Sequence, residues 1–304
     1  MNSDLFQELL RHQEMLFPHW ISKIIYCFGI TQDPQTQNYM LVVDYASEGD
    51  LHSYLEKNST KVTWAQKLEI LGEVASALVD IHRKDLIHGD LHTGNVLVGM
   101  ALSGASVSIG DLGSCRPVNA STNTDDIYGV LPYIAPEVLN GEKYTSASDV
   151  YSFGMILWEV SAGRKPFDDR PHDYNLALEI CNDLRPEVIE GTPWRYAKLM
   201  RQCWDQDPAN RPSAAKLAAN LLGSKDANGF GNSPTDINDK KWREYLQRIT
   251  ESSKQQKVGV HPDAVYSSRL LDFPIRRNGK VTQLMTKSVG SMNAQPTIPK
   301  VEEK

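Results

Sequence analysis

The stretch that most narrows what this chain can become covers residues 86–98, LIHGDLHTGNVLV. It has an apolar lead-in, then His88, Gly89 and Asp90, four further residues, Asn95 and a second apolar run. An aspartate followed at the fifth position by an asparagine, on a loop opening into a short strand, can set a carboxylate beside a hydroxyl and an amide oxygen beside a metal. That arrangement suits phosphoryl transfer, which needs little covalent help and much positioning and charge neutralisation. Asp90 would accept or orient the attacking proton, and Asn95 would hold magnesium, a hard cation that prefers oxygen ligands. Asp, Gly, Thr and Asn are equally what a plain turn between helix and strand uses. The octet alone leaves both readings open, and the rest of the chain has to decide.

The clearest helix stands just before it. Trp64, Leu68, Leu71, Ala75, Leu78 and His82 recur at alternating spacings of four and three, and Thr63 with Gln66 fits a capping box. Residues 63–83 are therefore a buried helix that delivers the chain to the loop. Upstream, residues 4–15 read as a helix carrying Glu8 and Glu14, and residues 24–29 and 39–43 as strands around the turn-rich TQDPQTQN. A polar link over residues 44–50 leads to a short helix over 51–56. Downstream, residues 96–98 and 107–109 form a small hairpin followed by Asp111, Leu112 and Gly113. Asp149 precedes an apolar helix with Phe153, Ile156, Leu157 and Val160 on one side, ended by Gly163 and Pro166. Thr192 before Pro193 is expected to cap a helix running to about Trp204, and residues 213–222 give a last short helix. Beyond Gly223 the composition turns to Gly, Asn, Ser, Asp and Lys, so residues 223–304 read as a mostly disordered tail. Within it Trp242, Tyr245, Leu246 and Ile249 keep helical spacing, which makes residues 239–249 a short helix able to dock a partner.

Composition excludes several classes. A net charge of -6 with no basic stripe argues against a nucleic-acid partner. Cys27, Cys115, Cys181 and Cys203 are scattered, so neither a zinc knuckle nor a disulfide framework is indicated and a reducing compartment fits. The first residues lack a signal-peptide core and no apolar run reaches the length of a membrane span, so the expectation is a cytoplasmic protein without a membrane partner.

Taken together the motifs resemble a eukaryotic protein kinase domain over about residues 6–222, roughly seven tenths of the chain. Where that family carries H-R-D-x-x-x-x-N, this chain has His88, Gly89, Asp90 and Asn95; where it carries D-F-G, Asp111, Leu112 and Gly113; where it carries A-P-E, Ala135, Pro136 and Glu137. DVYSFG from Asp149 looks like the start of the family's central helix, and Arg211 matches its late arginine. The resemblance implies an α+β fold with a mainly helical large lobe over residues 44–222 and a remnant of the small-lobe sheet over 1–43. It implies ATP and Mg2+ as cofactors, a protein substrate, Asp90 as catalytic base, and Asn95 and Asp111 as metal ligands. Asp44 to Ala46 would be the hinge against adenine, Val43 the gatekeeper and Leu97 the floor beneath the ring. His88, Glu137, Asp149 and Arg211 would be structural, the glutamate and arginine as a buried pair. Residues 111–137 would be the activation loop, with Ser121, Thr122, Thr124 and Tyr128 as candidate phosphorylation sites.

Three departures from the family pattern carry consequences. Gly89 replaces the arginine that grips a phosphorylated activation loop, so a phosphate there needs another partner. Trp158 and Glu159 with Cys203 and Trp204 are similar to tyrosine-kinase-like families, whereas LPYIAPE and His92 in place of the usual lysine fit neither the serine/threonine nor the tyrosine pattern closely; the lean is to serine/threonine. No G-x-G-x-x-G or strand lysine precedes Glu8 or Glu14, either of which could be the orphaned helix glutamate. The expectation is that residues 1–304 alone transfer phosphate poorly and derive from a longer, active protein. Three rival readings remain: a pseudokinase-like binding scaffold, a small-molecule phosphotransferase of the aminoglycoside and choline kinase type, and a zinc site built from His88, Asp90 and His92.

Overall fold

The computed structural model of the protein describes residues 3–15, 23–59, 61–101, 104–118, 127–222, 259–272, 276–277 and 280–281. Helix α1 (Ser3–Glu14) leads to a hairpin of β1 (Cys27–Gln32) and β2 (Tyr39–Val43), and β3 (Gly49–Asp50) turns into α2 (Leu51–Lys57). Helix α3 (Trp64–Arg83) runs into β4 (Leu86–Ile87), followed by a second hairpin of β5 (Val96–Ala101) and β6 (Gly104–Ile109), then β7 (Arg116–Pro117) and β8 (Ile127–Gly129). The helical body continues with α4 (Pro136–Leu139), α5 (Ser146–Ala162), α6 (Tyr174–Cys181), α7 (Trp194–Cys203) and α8 (Ala214–Leu222), and β9 (Arg269–Leu271) follows it. The result is the expected α+β arrangement: a helical body carrying small antiparallel sheets.

Helix α3 forms as its periodicity predicts, with a complete capping box between Thr63 and Gln66. It lies against α8 closely enough that a Cβ added at Gly72 would meet the Leu222 side chain at 2.3 Å, so a larger residue there would have to push that exposed side chain aside.

Helix α5 is mostly apolar and almost wholly buried, the pattern of a helix through the middle of a core, with Asp149 and Glu159 as its buried charges. Side chains such as Phe153 and Leu157 each contribute about 1.5–3 kcal/mol relative to exposure. Its start differs from the expectation. Thr145 and Ser148 form a reciprocal capping box, which moves the first turn ahead of Asp149 and places that carboxylate inside the helix rather than before it. Gly163 closes it in the left-handed region with φ 68°.

Three other expectations are corrected. The first strand begins at Cys27, because Ile24 bridges Ile109 in parallel and the Ile25 amide donates to the Ile109 carbonyl, which gives this apolar pair to the β6 edge. Helix α7 takes Pro193 as its cap, and the Thr192 amide instead closes a turn onto the Ile189 carbonyl. Within the stretch expected to lack packing, residues 259–272 lie on the body: β9 pairs antiparallel with β8, and Leu271 is buried. Tyr266 joins that contact from upstream, its hydroxyl donating to the Pro166 carbonyl. Short strands of this kind leave no periodicity to read. The expected helix over 239–249 lies outside the described residues. No helix among the described residues is long and apolar enough to cross a membrane.

A second anchor ties α4 to the end of the body. Arg211 makes a bidentate pair with Glu137, at 2.7 and 2.8 Å, and gives further hydrogen bonds to the Ala147 and Asp205 carbonyls. With the guanidinium fully enclosed, Arg211→Ala leaves Glu137 beside an empty pocket. It is expected to cost about 3–5 kcal/mol, read as a lowered melting temperature; an unchanged melt would show that the pair is not a stability anchor.

Candidate active site

The loop between β4 and β5 is shaped from below by α5. Asp149, only 1% exposed, accepts hydrogen bonds from the backbone amides of His88 and Gly89 at 2.9 Å each, and from His82 Nε2 of α3 at 2.9 Å. Burial alone would raise its pKa, but His82 and the loop amides outweigh that and hold it below the usual carboxylate range. Gly89 adopts φ +77°, and a Cβ there would meet the Arg116 guanidinium at 2.9 Å and the Ser114 carbonyl at 3.2 Å. His88 is fully buried: its Nδ1 accepts from the Asp90 amide, so Nε2 carries the proton and donates to the Gly110 carbonyl at 3.2 Å. With both ring nitrogens engaged, His88 offers nothing to zinc, and among the described residues no group of three or more His, Cys, Asp or Glu is placed to hold a metal.

Asp90 sits at the top of the loop, 6% exposed, with its Oδ2 buried and without a hydrogen-bond partner. Burial pushes its pKa up, opposed mainly by a hydrogen bond from the Ser268 side chain. His92 is beside it. Its Nδ1 accepts from the Gly94 amide, so Nε2 is the protonated nitrogen and donates to Ser268 Oγ at 3.1 Å. Burial lowers the His92 pKa to about 4, so the ring is neutral near pH 7. Asn95 donates Nδ2 to the Asp90 carbonyl at 2.9 Å, which leaves its amide oxygen as the atom suited to a cation.

Asp111 follows β6 in the left-handed region, φ 55°, with an exposed carboxylate that accepts from the Gly113 amide at 3.3 Å. Glu8 of α1 leans over this turn: burial raises its pKa, the Asp111 charge raises it further, and a hydrogen bond from the Leu112 backbone opposes both. Glu14, by contrast, pairs with Arg11 at 2.8 Å. Of the two glutamates, Glu8 is thus the one at the Asp111 turn. Leu97 packs on Gly110, whose absent Cβ would lie 2.9 Å from Leu97 Cδ1. At the expected hinge, the Asp44 amide donates to the Tyr26 carbonyl and the Ala46 carbonyl accepts from Gly49. The Val43 side chain is exposed. Tyr128 lies on β8, and Ser121, Thr122 and Thr124 fall outside the described residues.

Two residues that shape the loop have a structural part that the sequence did not announce. Glu159, fully buried in α5, accepts from His52 Nδ1 at 2.7 Å, from Thr93 Oγ1 at 3.0 Å and from the Tyr133 hydroxyl. It therefore fixes the far end of the loop that Asp149 fixes at the near end. Arg116, whose guanidinium lies over the Tyr144 ring at 4.2 Å, fills the space above Gly89. A cation thus reaches the loop at Gly89 from β7, and the sequence signal for this is only an arginine shortly after the Asp111 turn.

The comparisons agree with this geometry. A family description, "Protein tyrosine and serine/threonine kinase", matches residues 1–221. Among curated relatives, "Probable serine/threonine-protein kinase roco5" of Dictyostelium discoideum is 34% identical over 194 residues, 60% of this chain and 7% of that protein. "Probable serine/threonine-protein kinase gdt2" of the same organism is 29% identical over 232 residues, 73% of this chain and 13% of that protein. "RGS domain-containing serine/threonine-protein kinase A", also from that organism, is 29% identical over 195 residues, 64% of this chain and 17% of that protein. The chain thus spans a small part of the length of the relatives it matches.

Asp149→Asn keeps the shape but not the charge that holds the His88 and Gly89 amides. It is expected to cost about 3–5 kcal/mol, measured by urea unfolding near neutral pH. Because the folded pKa is depressed, this contribution is present above the unfolded carboxylate value and vanishes as pH falls through the folded one. The gap between wild type and variant should close only in strong acid.

Proposed function

Since the chain belongs to the protein tyrosine and serine/threonine kinase family, we propose that it transfers the terminal phosphate of ATP to a serine or threonine of a protein. The observation that carries the reading is Asp90: a buried carboxylate with one oxygen unpartnered and the other side of the group turned to a serine hydroxyl. Such a group accepts the proton of an attacking hydroxyl. His92 orients the hydroxyl oxygen through Nε2, and Asn95 braces the Asp90 carbonyl. Asp149 and Glu159 hold the loop so that these groups keep their spacing.

The donor set at Asn95 and Asp111 consists of an amide oxygen and an exposed carboxylate, hard ligands that fit magnesium. These residues would hold it, and when bound it neutralises phosphate charge. Asp44 to Ala46, Val43 and Leu97 are our assignment for the adenine site. His88, Glu137 and Arg211 we assign to structure, and Tyr128 to the activation loop as a modification site. Residues 1–43 and 44–222 correspond in this reading to small-lobe and large-lobe portions, and we place the protein in the cytoplasm. Membership of a protein kinase family and the Glu137–Arg211 pair argue against the small-molecule phosphotransferase.

Residues 1–304 contain no Gly-rich loop or lysine to clamp the γ-phosphate, so positioning worth several kcal/mol of barrier is missing from this stretch. Incubated with Mg2+, labelled ATP and a serine peptide, residues 1–304 should transfer phosphate slowly. Asp90→Asn should lower that rate by about 10²–10⁴-fold. Efficient transfer by the unmodified stretch would sink the impairment, and an unchanged rate in Asp90→Asn would sink the assignment of the base. The rate should fall on acidification with a midpoint above the ordinary carboxylate value, because Asp90 acts as the carboxylate and its pKa is raised.

A further inference from the structure

The segment 259–272 follows a single path across the face of the proposed active site. At its start the His261 amide donates to the Asp168 carbonyl at 2.7 Å. In the middle His172 holds it twice, its backbone amide donating to the Asp263 carbonyl at 3.0 Å and its Nδ1 bonding the Val265 carbonyl at 2.9 Å. At its end β9 pairs with β8, Ile127 opposite Leu271 and Gly129 opposite Arg269. Arg269 Nη2 donates to the His172 carbonyl at 2.9 Å, and the Tyr128 hydroxyl reaches the Ser268 carbonyl at 3.4 Å. Pinned on both sides, Ser268 presents its side chain to His92 and Asp90.

We propose that residues 259–272 are an intramolecular occupant of the acceptor groove, with Ser268 standing where a substrate serine would stand. The assignment rests on the phosphotransfer reading above and deepens it, because it names the acceptor: a serine in an extended segment that adds a strand to β8. The hydroxyl has the surroundings an acceptor needs. Its oxygen receives the Nε2 proton of a neutral histidine, and its own proton points to a carboxylate. Backbone pairing on one side fixes the depth of the chain, so a one-carbon side chain reaches Asp90 and a tyrosine ring would carry its hydroxyl past it. Leu271, 5% exposed, is the apolar anchor of the seat.

Two consequences follow. While seated, the segment excludes any other peptide from the same groove. Once Ser268 carries a phosphate, near -2 in charge at neutral pH, it stands against the Asp90 carboxylate, which Asp111 also repels, with Arg116 and Lys165 as the cations nearby, and the like charge at direct contact weakens the seat.

The test uses residues 1–304 and needs no catalysis. A labelled synthetic peptide of residues 259–272 is titrated, with fluorescence anisotropy as readout, into the unmodified chain and into Leu271→Asp, which unseats the resident segment without touching Asp90 or His92. The peptide should bind Leu271→Asp at least tenfold more tightly than the unmodified chain. The same peptide phosphorylated at Ser268 should bind Leu271→Asp at least tenfold more weakly than the unphosphorylated one. Equal binding by both chains, or by both peptides, overturns the proposal. Hydrogen exchange covers the case in which Leu271→Asp does not fold: residues 127–129 and 269–271 should be protected in the unmodified chain and exposed together in Ser268→Glu at an unchanged melting temperature. Protection that survives in Ser268→Glu overturns it as well. Because neither readout depends on phosphate transfer, the two failures are distinguishable: failure of the Asp90 activity test removes the acceptor role of Ser268 but not the seating of the segment, and failure here leaves the enzyme reading standing.

Discussion

A buried carboxylate gripping two consecutive backbone amides is the constraint on which the site depends. Asp149 projects from the first turn of α5 and takes the His88 and Gly89 N–H groups, so the loop is bent to suit a helix already fixed by the core. Ten residues along the same helix, about 15 Å at 1.5 Å per residue, Glu159 takes Thr93. The two acidic groups turn a rigid helix into a gauge for the loop's length. Placing charge inside a core is costly unless every lone pair is answered. Here His82 completes the set at one end, and His52 and Tyr133 complete it at the other.

Asp90 and Asp149 show how neighbours, rather than depth, decide what a carboxylate does. Both are nearly inaccessible, 6% and 1% exposed. Asp149 has its donors and its pKa is held below the usual carboxylate range; Asp90 keeps an oxygen without one and its pKa is raised. Titratable groups pushed apart by their environments separate into those that maintain structure and those that exchange protons. The adjacent His92, neutral because it is buried, can orient a hydroxyl without competing for its proton.

What the sequence made legible was whatever depends on short spacings. The helix from Trp64 and its capping box, the hairpin after Asn95, and the order of the Asp90, Asp111, Glu137 and Arg211 motifs all follow from residues a few positions apart or from motif identity. The structural part of Glu159 left no sign beyond a polar residue in an apolar helix, because its partners come from α2, the loop and the turn before α4. Arg116 reaches the loop at Gly89 from another element, and no local pattern announces that. Ser268 lies in a run of ordinary turn composition, and its meaning comes from a strand pairing set by β8. The start of α5 lies ahead of the conspicuous Asp149 because the reciprocal cap of Thr145 and Ser148, a quieter local signal, sets it.

The pairing of β9 with β8 also has a place in time. Ile127 and Leu271 are far apart along the chain, and the chain entropy of joining them must be met before a few strand hydrogen bonds and one apolar contact return anything. The contact is therefore expected to form after the helical body and to open before it, and under the proposed seating this gives the newly made protein an interval in which its loop is complete and the groove still vacant.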